Sequence, residues 1–173
     1  MKPYLISLAL AAAVACSATT SSATAKDAFL SHLVGDWIGR GVMQTSPTAT
    51  PEAVYCKISN ELSEDGNSLL QKGRCAIASN SGALRGAITS LGQSEYSGEL
   101  ETFASRGPAK FAGKLSDGEL VMSSQYTDKL TGEPVEARNA LALADNGYTL
   151  TATRVDPQSG STYTSSKITF TAK

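Results

Sequence analysis

The sequence predicts an all-β protein, an antiparallel meander β-barrel of about ten strands plugged by a short N-terminal helix. Three observations carry this. From Gly35 onward, apolar and polar residues alternate at period two, the period of a half-buried strand. Turn residues recur every ~8–12 residues, the spacing of hairpins in a barrel or sandwich. When the hairpins are laid in register, the large apolar residues collect on one face and the charges on the other.

Composition sets the bounds. The chain has 173 residues, enough for one domain, with 41% hydrophobic and 18% charged residues and a net charge of −1. Such a balance excludes a basic footprint for nucleic acid. One His and three Cys exclude a zinc cluster or His-rich metal site, so neither a metal nor a cofactor is expected.

Met1 and Lys2 precede an apolar run from Leu5 to Ala15, too short for the ~20 residues that span a bilayer. With Ala23-Thr24-Ala25 as the small-x-small cleavage site, residues 1–25 read as a secretory signal peptide. Residues 26–173 then form a single barrel domain in the periplasm or outside the cell. Cys16 follows Ala13-Val14-Ala15 and resembles a bacterial lipobox, with Ala13 where Leu is usual. A lipoprotein anchored through Cys16 on a Ser17–Ala25 tether is the lesser alternative. Cys56 and Cys75 remain as an even pair, for which a disulfide is the default in an exported chain.

The one helical stretch is Asp27 to Val34, where Phe29, Leu30, Leu33 and Val34 share a face. The strands follow. The Asp65-Gly66 turn pairs Leu62 with Leu69, Ile58 with Gly73 and Cys56 with Cys75. Counted from a two-residue turn, the cysteines are a hydrogen-bonded pair, a detail that a wider turn would change. Asn80-Ser81 pairs Ile77 with Leu84. Ser105-Arg106 pairs Leu100 with Phe111. Asp117-Gly118 pairs Leu115 with Leu120 and Phe111 with Ser124. The loop from Thr127 to Pro134 pairs Tyr126 with Val135. Asn146-Gly147 pairs Leu143 with Leu150 and Asn139 with Arg154. Odd loops at Gly92-Gln93-Ser94 and Asp156–Gly160 keep the same face inward.

Trp37, Ile58, Leu69, Leu120, Tyr148 and Phe170 are among the inward set, and Lys57, Arg74, Glu99, Lys110 and Arg138 among the outward one. Charges outside mean water outside, the reverse of an outer-membrane barrel, so a transmembrane barrel is not expected. Six glycines also point inward, including Gly39 and Gly98. They either leave volume in the lumen or let the barrel flatten and bend.

A meander puts alternate hairpins at opposite ends. One end collects the tight turns and the helix, over an apolar base. The other collects Gln44–Pro51, Ser79–Gly82, Thr127–Pro134 and Asp156–Gly160, with Tyr126, Asn139, Arg154, Thr162 and Thr164 nearby. This looser, more polar end is the expected mouth.

The stretch from Phe29 to Met43, with Gly35-Asp36-Trp37 behind a short helix, resembles the opening of calycin barrels. That group holds lipocalins, fatty-acid-binding proteins, avidins and nitrobindin-like proteins. The resemblance implies a small hydrophobic ligand in the lumen. Trp37 is the only Trp, unlike avidins, and His32 sits in the plug rather than late in the chain, unlike nitrobindins. Trp37, Cys56 and Cys75 also follow the order seen in bacterial metalloprotease-inhibitor barrels, a weaker resemblance that implies an envelope protein as partner.

Arg154 is the one charge that this register turns inward. A buried guanidinium requires an acceptor, and a ligand carboxylate held bidentately supplies one. Asn139, Tyr126 and Thr162 are the candidate hydrogen-bonding companions. No Ser-x-x-Lys, Gly-x-Ser-x-Gly or His-paired nucleophile occurs, so the sequence reads as a non-enzyme with no catalytic residues. Three functions are left: a binder of a small hydrophobic or anionic ligand, a periplasmic protease inhibitor or envelope interaction protein, and a structural envelope protein. An open lumen of several hundred Å³ separates the first from the others.

Overall fold

The computed structural model describes residues 26–129 and 131–173. The expected signal peptide and Cys16 lie outside the described residues. One helix, α1 (Ala28–His32), precedes ten strands: β1 (Gly35–Met43), β2 (Glu52–Leu62), β3 (Ser68–Ala76), β4 (Ser81–Gly92), β5 (Glu95–Glu101), β6 (Ala109–Ser116), β7 (Glu119–Thr127), β8 (Pro134–Ala144), β9 (Gly147–Val155) and β10 (Thr162–Ala172). Each strand pairs antiparallel with its sequence neighbours, and β1 pairs with β10 to close the barrel. Closure leaves no strand edge open to another chain.

The helix docks through its cap. Asp27 accepts from the Leu30 amide at 2.8 Å, satisfying a donor the first turn leaves over. The Asp27 amide donates to the Gly66 carbonyl, which fastens α1 to the β2–β3 turn. Leu30 and Leu33 are fully buried with Leu69, Leu120, Trp37 and Phe170. At the end of α1 the Leu33 carbonyl accepts from Trp37 Nε1 at 2.9 Å and Asn60 Nδ2 at 2.8 Å. The plug expected from the sequence is therefore built, with buried Asn60 as a polar clasp.

Registers follow the expectation at three hairpins. Cys56 opposes Cys75, Leu115 opposes Leu120, and Tyr126 opposes Val135. The β2–β3 turn is wider than two residues, since the Ser63 amide donates to the Ser68 carbonyl. Counting out from that bond makes the cysteines a non-hydrogen-bonded pair, not the hydrogen-bonded pair expected. This is the closer kind of cross-strand pair, and their Cα atoms are 4.1 Å apart. The expected disulfide is formed between them.

Three registers differ. Leu84 opposes Gly73, not Ile77, because the turn falls at Ala78-Ser79. Leu100 opposes Ala109, not Phe111, because the segment 102–108 is a folded loop rather than a tight turn. At β8–β9 the corner residues are Asp145-Asn146, so Arg154 opposes Ala137 and Asn139 opposes Ala152. Gly147 is drawn into the ladder, where any Cβ would overlap the Phe170 carbonyl. All three slips are even, so no side chain changes face.

The inward glycines are filled by neighbours. A methyl group on Gly39 would overlap the Phe170 ring, and one on Gly98 the Phe111 ring. They let aromatic rings lie across adjacent strands and do not themselves open the lumen.

Candidate functional site

Above the packed base the lumen is open. It encloses about 380 Å³, within the ~300–1,000 Å³ usual for ligand pockets. The wall on β2–β6 is mostly apolar, with Val54, Ile58, Ile77, Leu84, Leu100 and Phe111, and the Cys56–Cys75 disulfide lies in it. Polar groups gather on β7–β10: Ser124, Tyr126, Asn139, Arg154, Ser165 and Ser166. The cavity is thus two-sided, greasy on one flank and hydrogen-bonding on the other. It opens at the predicted mouth, beside Gln44, Thr45, Ser79, Asn80 and Asp128.

Three of the four candidate ligand-binding residues line this cavity together. Arg154 projects from β9, half-buried. Its guanidinium makes no hydrogen bond or ion pair among the described residues. Tyr126 faces it from β7. Burial pushes the Tyr126 phenol up from its ordinary value, while the nearby Arg154 charge pulls it down and Asp128 pushes it up. Asn139 is half-committed: its Nδ2 donates to Ser124 Oγ at 2.8 Å, and that hydroxyl donates on to the Ala137 carbonyl at 3.3 Å.

Thr162 does not belong. It is exposed, opposes the outward Val155, and is not part of the cavity wall. A register shift between Thr164 and Ser166 inserts Ser165 as an extra residue, and one inserted residue reverses the faces on one side of the bulge. Thr164 is exposed for the same reason. Tyr163 takes the inward side instead, opposite Arg154, and donates its hydroxyl to the Thr45 carbonyl at 2.9 Å. Ser165, buried, donates to the Ala152 carbonyl at 3.3 Å.

Arg154 is also not the one inward charge. Glu52, at the start of β2, lines the mouth and accepts from both the amide and the hydroxyl of Ser79 at 3.0 Å. Period two from Val54 places it on the inward face, at the first residue of β2. The loop at 102–108 is a further mouth element that the expected tight turn concealed. Its backbone is tied to the β7–β8 loop by bonds from the Arg106 amide to the Thr127 carbonyl and from the Lys129 amide to the Ala104 carbonyl. Among the described residues no group of His, Cys, Asp or Glu is placed to hold a metal, and no helix is long and apolar enough to cross a membrane. His32 hydrogen-bonds through Nδ1 to the Ala28 carbonyl at the surface.

No protein-family profile and no curated protein matches the chain. Among solved structures it is similar to the S-type phycobiliprotein lyase from Guillardia theta, with a TM-score of 0.56 over 84% of this chain and 90% of that one. Identity is 10%, so the likeness is one of fold. The fold is the calycin-like ten-strand barrel that the Gly-x-Trp opening and the meander resemble. The comparison corrects one expectation. The lack of a known catalytic motif in the sequence predicts a non-enzyme. A barrel of this fold carries the name of a lyase, so the missing motifs do not exclude catalysis in this architecture.

Proposed function

We propose that the protein binds, in its lumen, a small molecule with an apolar body and an anionic group. The observation that carries this is Arg154: a cation on the wall of an open, mostly apolar cavity, whose guanidinium makes no hydrogen bond or ion pair among the described residues. A guanidinium so placed is stabilised by a carboxylate or phosphate that brings two acceptor oxygens. Tyr126 and the free carbonyl side of Asn139 are the companions that orient it, and the β2–β6 wall receives the apolar body. The open lumen supports this reading over the protease-inhibitor one, which has no use for a cavity. Residues 1–25 are read as an export signal, and the disulfide is compatible with an oxidising compartment. Titration of a fluorescent fatty-acid carboxylate, followed by native mass spectrometry of the protein from its host, tests the proposal. Saturable, stoichiometric binding is expected, weakened in Arg154→Met. Absence of saturable binding of the carboxylate and of any co-purifying small molecule overturns it.

A further inference from the structure

We infer that the outer wall of β1–β3 below the mouth docks on an anionic phospholipid surface. Three cations gather there: Arg40, Lys57 and Arg74. Arg40 and Lys57 both lie over the Tyr55 ring, at 5.3 and 5.7 Å from its centroid. Lys57 directly opposes Arg74 across the β2–β3 ladder, a like-charge pairing that destabilises a sheet. None of the three makes an ion pair among the described residues. Four other cations face acids, although Arg138 and Lys167 stand opposite uncharged residues and Lys72 also opposes Arg85. Lys72 bonds Glu61 at 2.8 Å and Lys114 bonds Glu95 at 2.9 Å, while Arg85 opposes Glu101 and Lys110 opposes Glu99. The nearest acids are Glu61, paired with Lys72, Glu52, turned inward on Ser79, and Asp36, a diagonal neighbour of Lys57 that makes no ion pair with it among the described residues. In a chain of net charge −1, this clustering is local and costs self-repulsion that an anionic partner removes.

The occupant follows from the shape and chemistry of the patch. It is a broad barrel wall rather than a concave pocket, which suits a surface of many anions better than one small ion. Exposed apolar groups are interleaved with the cations: Tyr55 is 39% and Val42 50% exposed, and Val42 opposes Lys167 on β10. Aromatic and aliphatic side chains among Lys and Arg are the composition that sits at a headgroup layer. The patch also leads to the opening. From Arg40, β1 runs through Val42 to Met43, and Met43, Gln44 and Thr45 line the cavity. A surface that supplies amphiphiles would thus be held beside the mouth. That last step rests on the proposed lumen binding, but the docking itself does not.

Co-sedimentation of the full chain with vesicles, without added ligand, tests docking alone. One set of vesicles is phosphatidylcholine and the other is phosphatidylcholine mixed with phosphatidylglycerol. Wild type is expected on the second set at low salt, not on the first, and to be released as salt rises. Neutralising Arg40, Lys57 and Arg74 together to Gln should lower partitioning by about fivefold per cation removed. The control variant Lys110→Gln, Lys114→Gln, Arg138→Gln makes the same net change on other strands and should retain binding. Thermal melts of both variants confirm folding. Equal losses in the two variants, or no sedimentation of wild type with the anionic vesicles, overturn the proposal. Patch-dependent binding to poly-glutamate but not to vesicles also overturns it, and makes the partner an acidic protein. Fluorescent carboxylate titration of the same samples reads the lumen separately, so failure of docking and failure of ligand binding are distinguishable.

Discussion

The Tyr96 hydroxyl lies 3.0 and 3.2 Å from the two carboxylate oxygens of Asp27, 69 residues away in sequence. The same carboxylate caps α1, and the Phe29 ring rests against the Tyr96 ring at 5.6 Å between centroids. One acid thus joins the plug to the barrel wall. Burial, then the Asp27 carboxylate, push the Tyr96 phenol up to about 12. A group whose folded value is raised contributes stability that is complete below the unfolded value, near pH 10, and is lost as pH rises toward 12. Thermal melts across that window should show a falling melting temperature. The fall should be shallower in Tyr96→Phe by the share of one proton. Asp27→Ala should cost about 1 kcal/mol near neutral pH through the lost cap alone.

Gln93 and Ser94 form the β4–β5 turn with φ of 52° and 62°. Two consecutive left-handed residues match a tight hairpin, but neither is the Gly or Asn that adopts this conformation cheaply. Asp117-Gly118 makes the same left-handed pair with a Gly in place. Ser94→Gly should therefore stabilise the protein by about 1 kcal/mol, read from the denaturant midpoint at unchanged slope. The backbone bond from the Leu115 amide to the Ser94 carbonyl is unaffected by the change.

These turns also explain what was legible in the sequence. Inside and outside were legible nearly everywhere, because the alternation is strict and an even slip leaves each side chain on its face. Height along the barrel was less so. It depends on which residues form each corner, and Asn146-Gly147 points to the wrong pair because Gly147 is required by contact with Phe170 rather than by the turn. That error displaces the partner of Arg154 by two residues, or ~7 Å of strand. The bulge at Ser165 left no trace in composition, since either neighbouring Ser fits either face, and Thr162 was misplaced as a result. The openness of the lumen depends on how far Tyr148, Phe170 and Met122 fill the base, and no pattern of apolar positions states that.

Tyr148 gives a test of that base. Its ring is stacked on Phe170 at 4.7 Å and edge-on to Trp37 at 5.2 Å, and burial pushes its phenol up. The hydroxyl is buried and makes no hydrogen bond among the described residues. Asn60 stands near it, its Nδ2 donating to the Leu33 carbonyl and its Oδ1 accepting from Gln71 Nε2. A buried unpaired hydroxyl costs about 1–3 kcal/mol. Tyr148→Phe keeps both ring contacts and removes that cost. It should raise unfolding free energy by about 1 kcal/mol. A drop of similar size would mean that the hydroxyl is satisfied after all.

Arg154 and Asn139 stand on adjacent strands of the same cavity wall, yet their substitutions should act oppositely. The Arg154 guanidinium makes no hydrogen bond or ion pair among the described residues, so Arg154→Met should leave the melting temperature unchanged or raise it, since removing an unpaired half-buried charge is favourable. Its loss should fall on the ligand. A charge-assisted contact contributes ~1.5–3 kcal/mol, so affinity for a fatty-acid carboxylate should drop by roughly ten- to over a hundredfold. Asn139, by contrast, anchors Ser124 and through it the Ala137 carbonyl. Asn139→Ala removes the bond that the Ser124 hydroxyl accepts and should lower stability by about 1 kcal/mol, with a smaller effect on affinity. Paired melts and carboxylate titrations on both variants separate the roles. If Arg154→Met melts lower and binds as wild type does, the guanidinium is a structural group of the mouth, and the anionic part of the proposed ligand goes with it. If both variants lose affinity alike without losing stability, Asn139 touches the ligand as directly as Arg154 does, and the Ser124 bond gives way on binding.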